Sequence, residues 1–312
     1  MDAALPRLAV FGEALTDLVR TGEDSWRSIA GGACWNVARV AATLGVPTGW
    51  GGAVSDDLFG RQIVELSDAA RLDRRFLQVV PRPPLLAVVH QLDPPRYFFI
   101  GQDSADLAFD IDQLPPGWDA ACRFAHFGCI SLVRQPLGAR LVELALRLAD
   151  AGVPVSFDPN CRNLMGADYP ALFERLAARA AVLKLSEEDL RQIYPDDHAS
   201  NRPDASRALA RVRALAPGAV LLYTRGAEGM DVYAGDTHFF QPAFVVQVAD
   251  TVGAGDACIG GFLASRLLRP GASLRQHARF AAATAAAACT RAGAHAPSLA
   301  EVEALLATPP AA

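Results

Sequence analysis

The sequence predicts an α/β fold: a mainly parallel, doubly wound sheet with helices on both faces and a small β-sheet standing off it. Three observations lead there. From Phe124 to Thr224, short apolar runs alternate with longer amphipathic ones, the rhythm of repeated βα units. The glycine-rich and polar stretches each follow a run that reads as a strand, and ligands of such sheets gather at that edge. Residues 84–108, with part of 13–30, break the rhythm and read as paired strands. At 312 residues the chain is read as one domain, 1–312, with that small sheet (about 13–30 and 84–108) as its appendage.

Taken in order, Leu8 to Phe11 is a buried first strand ending at Gly12. Ala30-Gly31-Gly32 enters a helix that runs to Leu44 and stops at Gly45. Thr48 to Val54 is a second strand, followed by a helix from about Arg61 to Ala70. Pro81, Pro83 and Pro84 mark a boundary. Leu85 to Leu92 and Arg96 to Ile100 read as two strands around an Asp93-Pro94-Pro95 turn. After Pro115-Pro116 come the strand Phe124 to Gly128, the helix Leu137 to Ala151, the strand Val153 to Phe157 and the helix Tyr169 to Ala178. Ala181 to Leu185 is a strand, Glu187 to Ile193 a short helix and Asp196 to Asp204 a polar loop. Ala205 to Ala214 is a helix and Ala219 to Thr224 a strand. Phe244 to Val248 reads as one more strand, Ala257 to Leu268 as a helix, and the alanine-rich Phe280 to Thr290 as a tightly packed one. Thr308 to Ala312 reads as a frayed tail.

Half the residues are hydrophobic (51%) and 20% are charged, the balance of a soluble globular enzyme. A formal net charge of -5, with no basic cluster, argues against a nucleic-acid surface. No basic stretch followed by an apolar core opens the chain, so no signal peptide is read. The longest uncharged apolar run, Phe280 to Thr290, is too short to cross a bilayer. Cys34, Cys122, Cys129, Cys161, Cys258 and Cys289 show no Cys-x-x-Cys spacing and read as reduced thiols of a cytoplasmic protein. The histidines show no metal-ligand spacing either.

The stretch with the clearest chemistry is Asp250-Thr251-Val252-Gly253-Ala254-Gly255-Asp256. Two glycines flanking one small residue at a helix start leave backbone N–H groups uncovered, and the helix dipole adds positive potential. Asp256, in the first helical turn, has the properties of a general base beside an anion site. A phosphate cradle with a base next to it points to phosphoryl transfer to an acceptor that loses a proton. No Gly-x₄-Gly-Lys-Ser/Thr and no protein-kinase catalytic loop is present, which sets those routes aside. The first strand leads into Gly12-Glu13-Ala14, without the Gly-x-Gly-x-x-Gly of a dinucleotide fold.

This stretch resembles the C-terminal signature of the PfkB (ribokinase-like) carbohydrate kinases, and further matches run along almost the whole chain. Gly12 and Asp17, within Gly12-Glu13-Ala14-Leu15-Thr16-Asp17, match the family's opening in the form of its fructokinase-like members. Gly31, Gly32 and Asn36-Val37-Ala38 match its first signature. Ser55-Asp56-Asp57-Leu58-Phe59-Gly60 matches Gly-x-Asp-x-Phe-Gly with Ser55 in place of glycine. Asp158-Pro159-Asn160-Cys161-Arg162 resembles the Asp-Pro-Asn-x-Arg of fructokinases and 2-keto-3-deoxygluconate kinases. Lys184 to Asp189 fits the nucleotide-side Asn/Ser-x-x-Glu segment, with Ser186 and Asp189 as the pair and Glu188 sharing the task. Thr224-Arg225-Gly226-Ala227-Glu228-Gly229 is similar to the Thr-x-Gly-x-x-Gly along the ATP phosphates, and Ala286 to Ala294 to the helix and loop over the adenine. One departure stands out. Relatives carry an aromatic run ending in Tyr-Arg, then Ala-Asp; here Tyr97-Phe98-Phe99-Ile100-Gly101-Gln102 precedes Ala105-Asp106, and the arginine is missing.

The resemblance implies a ribokinase-like fold with a β lid and in-line transfer of the γ-phosphoryl of Mg-ATP to a sugar hydroxyl. Asp256 would be the base, and the amides of Gly253, Ala254 and Gly255 the anion hole. Asp17, Gly31, Gly32, Asn36, Phe99, Gln102, Arg162 and Asp256 are expected around the sugar, with Phe98 beside them. Lys184, Ser186, Thr224, Gly226, Gly229 and Gly255 are expected on ATP. Asp158, Asn160, Glu188 and Asp189 would order Mg2+ through water, and Asp250 is the candidate K+ ligand. Fructose is the expected sugar, then 2-keto-3-deoxygluconate, then ribose or a nucleoside; a non-catalytic sugar-binding protein is the competing class. No nucleic-acid or membrane partner is expected, and the apolar face of the lid predicts a homodimer.

Overall fold

The computed structural model describes residues 4–92, 95–198 and 205–307. Asp93 and Pro94 of the Asp93-Pro94-Pro95 turn, part of the Asp196 to Asp204 loop and the Thr308 to Ala312 tail lie outside them. In chain order the strands are β1 (Leu8–Phe11), β2 (Leu15–Arg20), β3 (Trp26–Gly31), β4 (Thr48–Ser55), β5 (Leu77–Val80), β6 (Leu86–Leu92), β7 (Pro95–Ile100), β8 (Phe124–Gly128), β9 (Val155–Asp158), β10 (Val182–Ser186), β11 (Val220–Thr224), β12 (Gly229–Ala234) and β13 (Thr237–Pro242). The helices are α1 (Ala33–Thr43), α2 (Leu58–Ala69), α3 (Trp118–Ala121), α4 (Leu137–Asp150), α5 (Tyr169–Ala177), α6 (Glu187–Ile193), α7 (Ser206–Leu215), α8 (Ala254–Leu268), α9 (Leu274–Ala288) and α10 (Leu299–Ala307).

A nine-stranded sheet runs β13-β12-β11-β10-β9-β8-β1-β4-β5, parallel except for the β11-β12 and β12-β13 pairs. Its inner strands are apolar on both faces because helices cover both. One core layer joins α1, α8, α9 and α10 through Trp35, Phe262, Phe280 and Val302. The other joins α4, α5, α6 and α7 through Leu141, Phe173, Leu190 and Val212. On that second side Phe11 of β1 stacks on Phe127 of β8, with centroids 5.1 Å apart. The separate four-stranded sheet runs β3-β2-β6-β7.

The structure corrects two readings. Phe244 to Val248 forms no strand: the last strand ends at Pro242, and residues 244–248 join no sheet. The apolar spacing there belongs to a cleft wall, with Val245 89% exposed, and offers no pleat to a neighbouring strand. The helix after the anion turn starts at Ala254, three residues early, because Gly253 takes the left-handed φ of 78° that caps it. The β5 strand and the β12-β13 hairpin were not read from sequence; both lie at the sheet's edges, where burial leaves a weaker apolar pattern.

Ser55, which stands where the family pattern has glycine, feeds the cap of α2. Its Oγ donates to Asp57 Oδ1 at 2.6 Å, and that oxygen also accepts the Phe59 and Gly60 amides at 2.9 and 3.0 Å. The same turn requires Gly60, since a Cβ there would lie 1.8 Å from Ser55 O. Gly60→Ala is expected to cost about 2 kcal/mol or more in urea unfolding. Gly218→Ala, whose Cβ meets nothing within 4 Å, should change stability by less than about 1 kcal/mol. Equal effects of the two would contradict this packing.

Candidate active site

The carboxyl edge of the sheet collects the singled-out residues because β1, β4, β8, β9, β10 and β11 all end there, at Phe11, Ser55, Gly128, Asp158, Ser186 and Thr224. The anion turn closes this edge. The Ala254 amide donates to Thr251 O at 3.2 Å, so it is engaged within the turn. The amides of Gly253, Gly255 and Asp256 have no hydrogen-bond partner among the described residues. Of the Gly253, Ala254 and Gly255 amides expected to form an anion hole, Ala254's is engaged within the turn, and Asp256's amide is open beside the other two. Asp250 fixes the turn, its Oδ1 accepting the Val252 amide at 3.0 Å and its Oδ2 the Gly293 amide at 2.8 Å.

Asp256 is 7% exposed. Its Oδ2 accepts from Asn36 Nδ2 at 2.9 Å and its Oδ1 from Asn160 Nδ2 at 3.5 Å. Burial pushes its carboxyl above the usual range, opposed by the Asn36 hydrogen bond and by the charges of Lys184 and Arg162. Asn36 Oδ1 is buried without a partner among the described residues, an acceptor with its valence open. Across the small sheet, Asp17 projects toward Gly31, where a Cβ would lie 2.7 Å from its Oδ2. Burial pushes Asp17 up to about 6, and Arg162 pulls it back. Gly32, at φ 119°, begins α1, and a Cβ there would strike Glu13 O at 2.6 Å. Arg162 Nη1 bonds only backbone, at Asn160 O (3.2 Å) and Cys161 O (2.7 Å).

Under the turn lies a buried ion pair, Lys184 Nζ to Asp158 Oδ2 at 2.8 Å. The ammonium would sit 3.3 Å from a Cβ at Gly255, so glycine there lets the cation approach the turn. Burial pushes Asp158 up to about 6 in spite of Lys184. A cleft of about 820 Å³ opens from here, lined by Asn160, Lys184, Glu188, Thr224 and Gly255 at its polar end. Gly226 and Gly229 also line it, at φ 55° and 129°. Phe244, Val246, Ala285 and Cys289 form an apolar slot at the other end.

Three expectations change. Ser186 and Asp189 cap α6 reciprocally: Asp189 Oδ2 accepts the Ser186 amide (2.7 Å) and hydroxyl (2.6 Å), while Oδ1 accepts the Cys161 amide at 2.7 Å. Both Asp189 oxygens accept protein donors, and Glu187, Glu188 and Asp189 all line the cleft, Glu188 as the exposed one of the three. Gln102 is exposed in the turn after β7. Phe98 is 50% exposed and faces outward with its cross-strand neighbours Val88 and Leu18, whereas Phe99 packs inward against Leu85, Cys129 and Ile130. One residue was missed. Glu13, 1% exposed, accepts Ser131 Oγ on Oε2 and the Ala33 amide (3.2 Å) on Oε1, so it ties the start of α1 to the turn after β8. A carboxylate amid Gly12-Glu13-Ala14-Leu15 was the available signal, since an acid between apolar neighbours needs a partner when buried.

A model of the pfkB family carbohydrate kinases matches residues 5–301. A fructokinase of Rhizobium leguminosarum bv. trifolii is 35% identical over 264 residues, 81% of this chain and 78% of that one. Among solved structures, fructokinase with bound ATP from Xylella fastidiosa superposes with a TM-score of 0.85 at 28% identity, covering 97% of this chain and 98% of its own. Aminoimidazole riboside kinase from Salmonella enterica, complexed with aminoimidazole riboside and an ATP analog, gives 0.82 at 27% identity, covering 96% and 99%. The two-sheet α/β architecture is the ribokinase-like fold. Matched along nearly its whole length, the chain belongs to the pfkB family of carbohydrate kinases and is an ATP-dependent sugar kinase.

Proposed function

We propose that this kinase phosphorylates a hydroxymethyl group of fructose, with Asp256 as general base. The observation that carries the reading is the meeting of an ionisable, buried Asp256 with open amides at a helix start and with Asn36, whose Oδ1 awaits a donor. A sugar hydroxyl donating to Asn36 Oδ1 is held beside Asp256, which accepts the proton as the oxygen attacks the γ-phosphoryl. Base catalysis of this kind supplies roughly 10²–10⁴ in rate. The amides of Gly253, Gly255 and Asp256 take the charge on the transferring group, each such donor being worth on the order of 10²–10³. Lys184 adds a fixed cation beneath them. Asp17 and Gly32 orient the remaining hydroxyls, and closure of the small sheet excludes water that would hydrolyse ATP.

ATP occupies the cleft, its base in the slot of Phe244, Val246, Ala285 and Cys289. Magnesium fits as an ion brought by ATP. Among the described residues no three His, Cys, Asp or Glu converge to hold one, while Asn160 and Glu188 line the cleft within reach of its water shell. Bound there, it neutralises phosphate charge. Each oxygen of Asp250 takes a single amide and keeps a lone pair for potassium. Arg162 favours a second reading: a guanidinium bonded only to carbonyls suits the carboxylate of 2-keto-3-deoxygluconate. A cytoplasmic enzyme is consistent with its buried or half-buried free thiols. ADP release with fructose, 2-keto-3-deoxygluconate, ribose and adenosine, each with and without potassium, decides among acceptors. Turnover on the keto acid and not on fructose would transfer the assignment.

Asp256→Asn is expected to lower kcat at least about a hundredfold with calorimetric binding of ATP and sugar retained; near-parental kcat would remove Asp256 from the base role. The raised pKa of Asp256 sets a pH expectation. The base works ionised, so kcat falls with acid, and its midpoint lies above the range of an ordinary aspartate. A kcat flat down to that ordinary range would contradict the assignment. Finally, Trp26, Phe98 and Ile100 of the small sheet are 48%, 50% and 51% exposed on its outer face. A homodimer that pairs these faces is expected by light scattering at micromolar concentration, and a monomer there would rule it out.

A further inference from the structure

Arg134 lies in the turn after β8, yet its guanidinium grips the exit of the small sheet. Nε donates to Asp106 Oδ2 at 2.8 Å, and Nη2 donates to Gly101 O and Ser104 Oγ at 2.7 Å each and to Asp106 Oδ1 at 3.2 Å. Ser104 Oγ in turn donates to Asp106 Oδ1. The Arg134 and Asp106 side chains are 12% and 3% exposed. The gripped segment, 101–106, is the chain's return from β7 to the body. Gly101 makes room for the grip. A Cβ there would lie 2.9 and 3.0 Å from Nη2 and Nη1, and 2.4 Å from Leu85 Cδ1. Gly101-Gln102 is also where fructokinase-like sequences carry the arginine that this chain lacks. A guanidinium is therefore present at this place in space, delivered from the facing wall.

The wall so fixed is the acceptor's. Strand alternation puts Gly101 on the same face as Phe99. Phe99 packs with Leu15, Leu85, Ala87, Cys129 and Ile130, the last two from the turn that leads to Arg134. Phe99 faces Ala87, which pairs with Asp17, so all three share that face. No partner of Arg134 lines the ATP cleft.

We infer that Arg134 is a positioning residue for the sugar: through Asp106, Ser104 and Gly101 it holds the small-sheet face that bears Phe99 and Asp17. The inference rests on the sugar-kinase reading of the site. A bidentate, largely buried pair of this kind is strong and directional, and removal of one member leaves the other charge buried and unpaired. The loss therefore falls on the acceptor wall.

The test is a swap, read with fructose or with whichever sugar of the acceptor panel is turned over best. Arg134→Thr should raise the sugar KM about tenfold or more and leave the ATP KM within about twofold. Gly101→Arg alone should also raise the sugar KM, because its side chain enters occupied space. The two together should return it toward the parental value, since one guanidinium again reaches Asp106, a strongly non-additive cycle. An unchanged sugar KM in Arg134→Thr, equal rises for both substrates, or additive effects in the double variant would overturn the inference. Should Arg134→Thr fail to fold, Gly101→Ala gives the reading: a parental sugar KM there overturns it, and a selective rise supports it. A parent enzyme silent on the whole panel would count against the acceptor reading instead, and the same swap is then read on fructose binding by calorimetry.

Discussion

The buried pair of Lys184 and Asp158 is the constraint on which the site depends. Their side chains are 5% and 4% exposed, and they join the ends of β10 and β9 directly beneath the start of α8. Asp158, Asp189, Asp256 and Glu13 are all buried within one region of the sheet edge; Lys184 acts on Asp158, and Lys184 and Arg162 both act on Asp256. Such a concentration of carboxylates is costly to desolvate. The cost shows in the raised pKa of Glu13, Asp158 and Asp256. Asp189 accepts three donors, the Ser186 amide and hydroxyl and the Cys161 amide.

That arrangement also explains where glycine is obligatory. Gly255 gives the Lys184 ammonium its path to the anion turn, Gly31 leaves room for the Asp17 carboxylate, and Gly101 leaves room for Arg134. In each case the missing Cβ is replaced by the polar end of a side chain from another element. The glycines at these points are spaces for charge as much as points of backbone freedom. The parallel topology makes this possible, because β1, β8, β9, β10 and β11 bring charged groups of distant sequence to one edge while their flanks stay apolar.

The two ends of the site are built differently. The cleft proposed for the nucleotide is made of strand ends, α8 and α9, and Ala243, Phe244, Val245, Val246 and Val248 line its apolar slot. The side proposed for the acceptor is one face of the small sheet, tied to the body by side chains that include Glu13 at its entry and Arg134 at its exit. Few contacts of that kind suffice to hold a small sheet, and few need to change to retune it.

The sequence by itself determined the alternating α/β plan, the strand-end position of most motifs, the glycine turn at a helix start with its acid, and the family. Those features rest on local rules: apolar periodicity, glycine where backbone must approach a ligand, an acid in a first helical turn. The tertiary structure decided the partnerships. Asn36 meets Asp256 across 220 residues of sequence, Asp189 turns inward to a cap, Phe98 turns out while Phe99 turns in, and residues 243–248 line a slot where a strand was expected. The missing lid arginine is the clearest case. In sequence Gly101 stands where the resemblance leads one to expect an arginine; in the fold the Arg134 guanidinium reaches Gly101 O, because only the folded chain brings the turn after β8 against the end of β7. Such pairings depend on strand order and register, which local patterns do not encode.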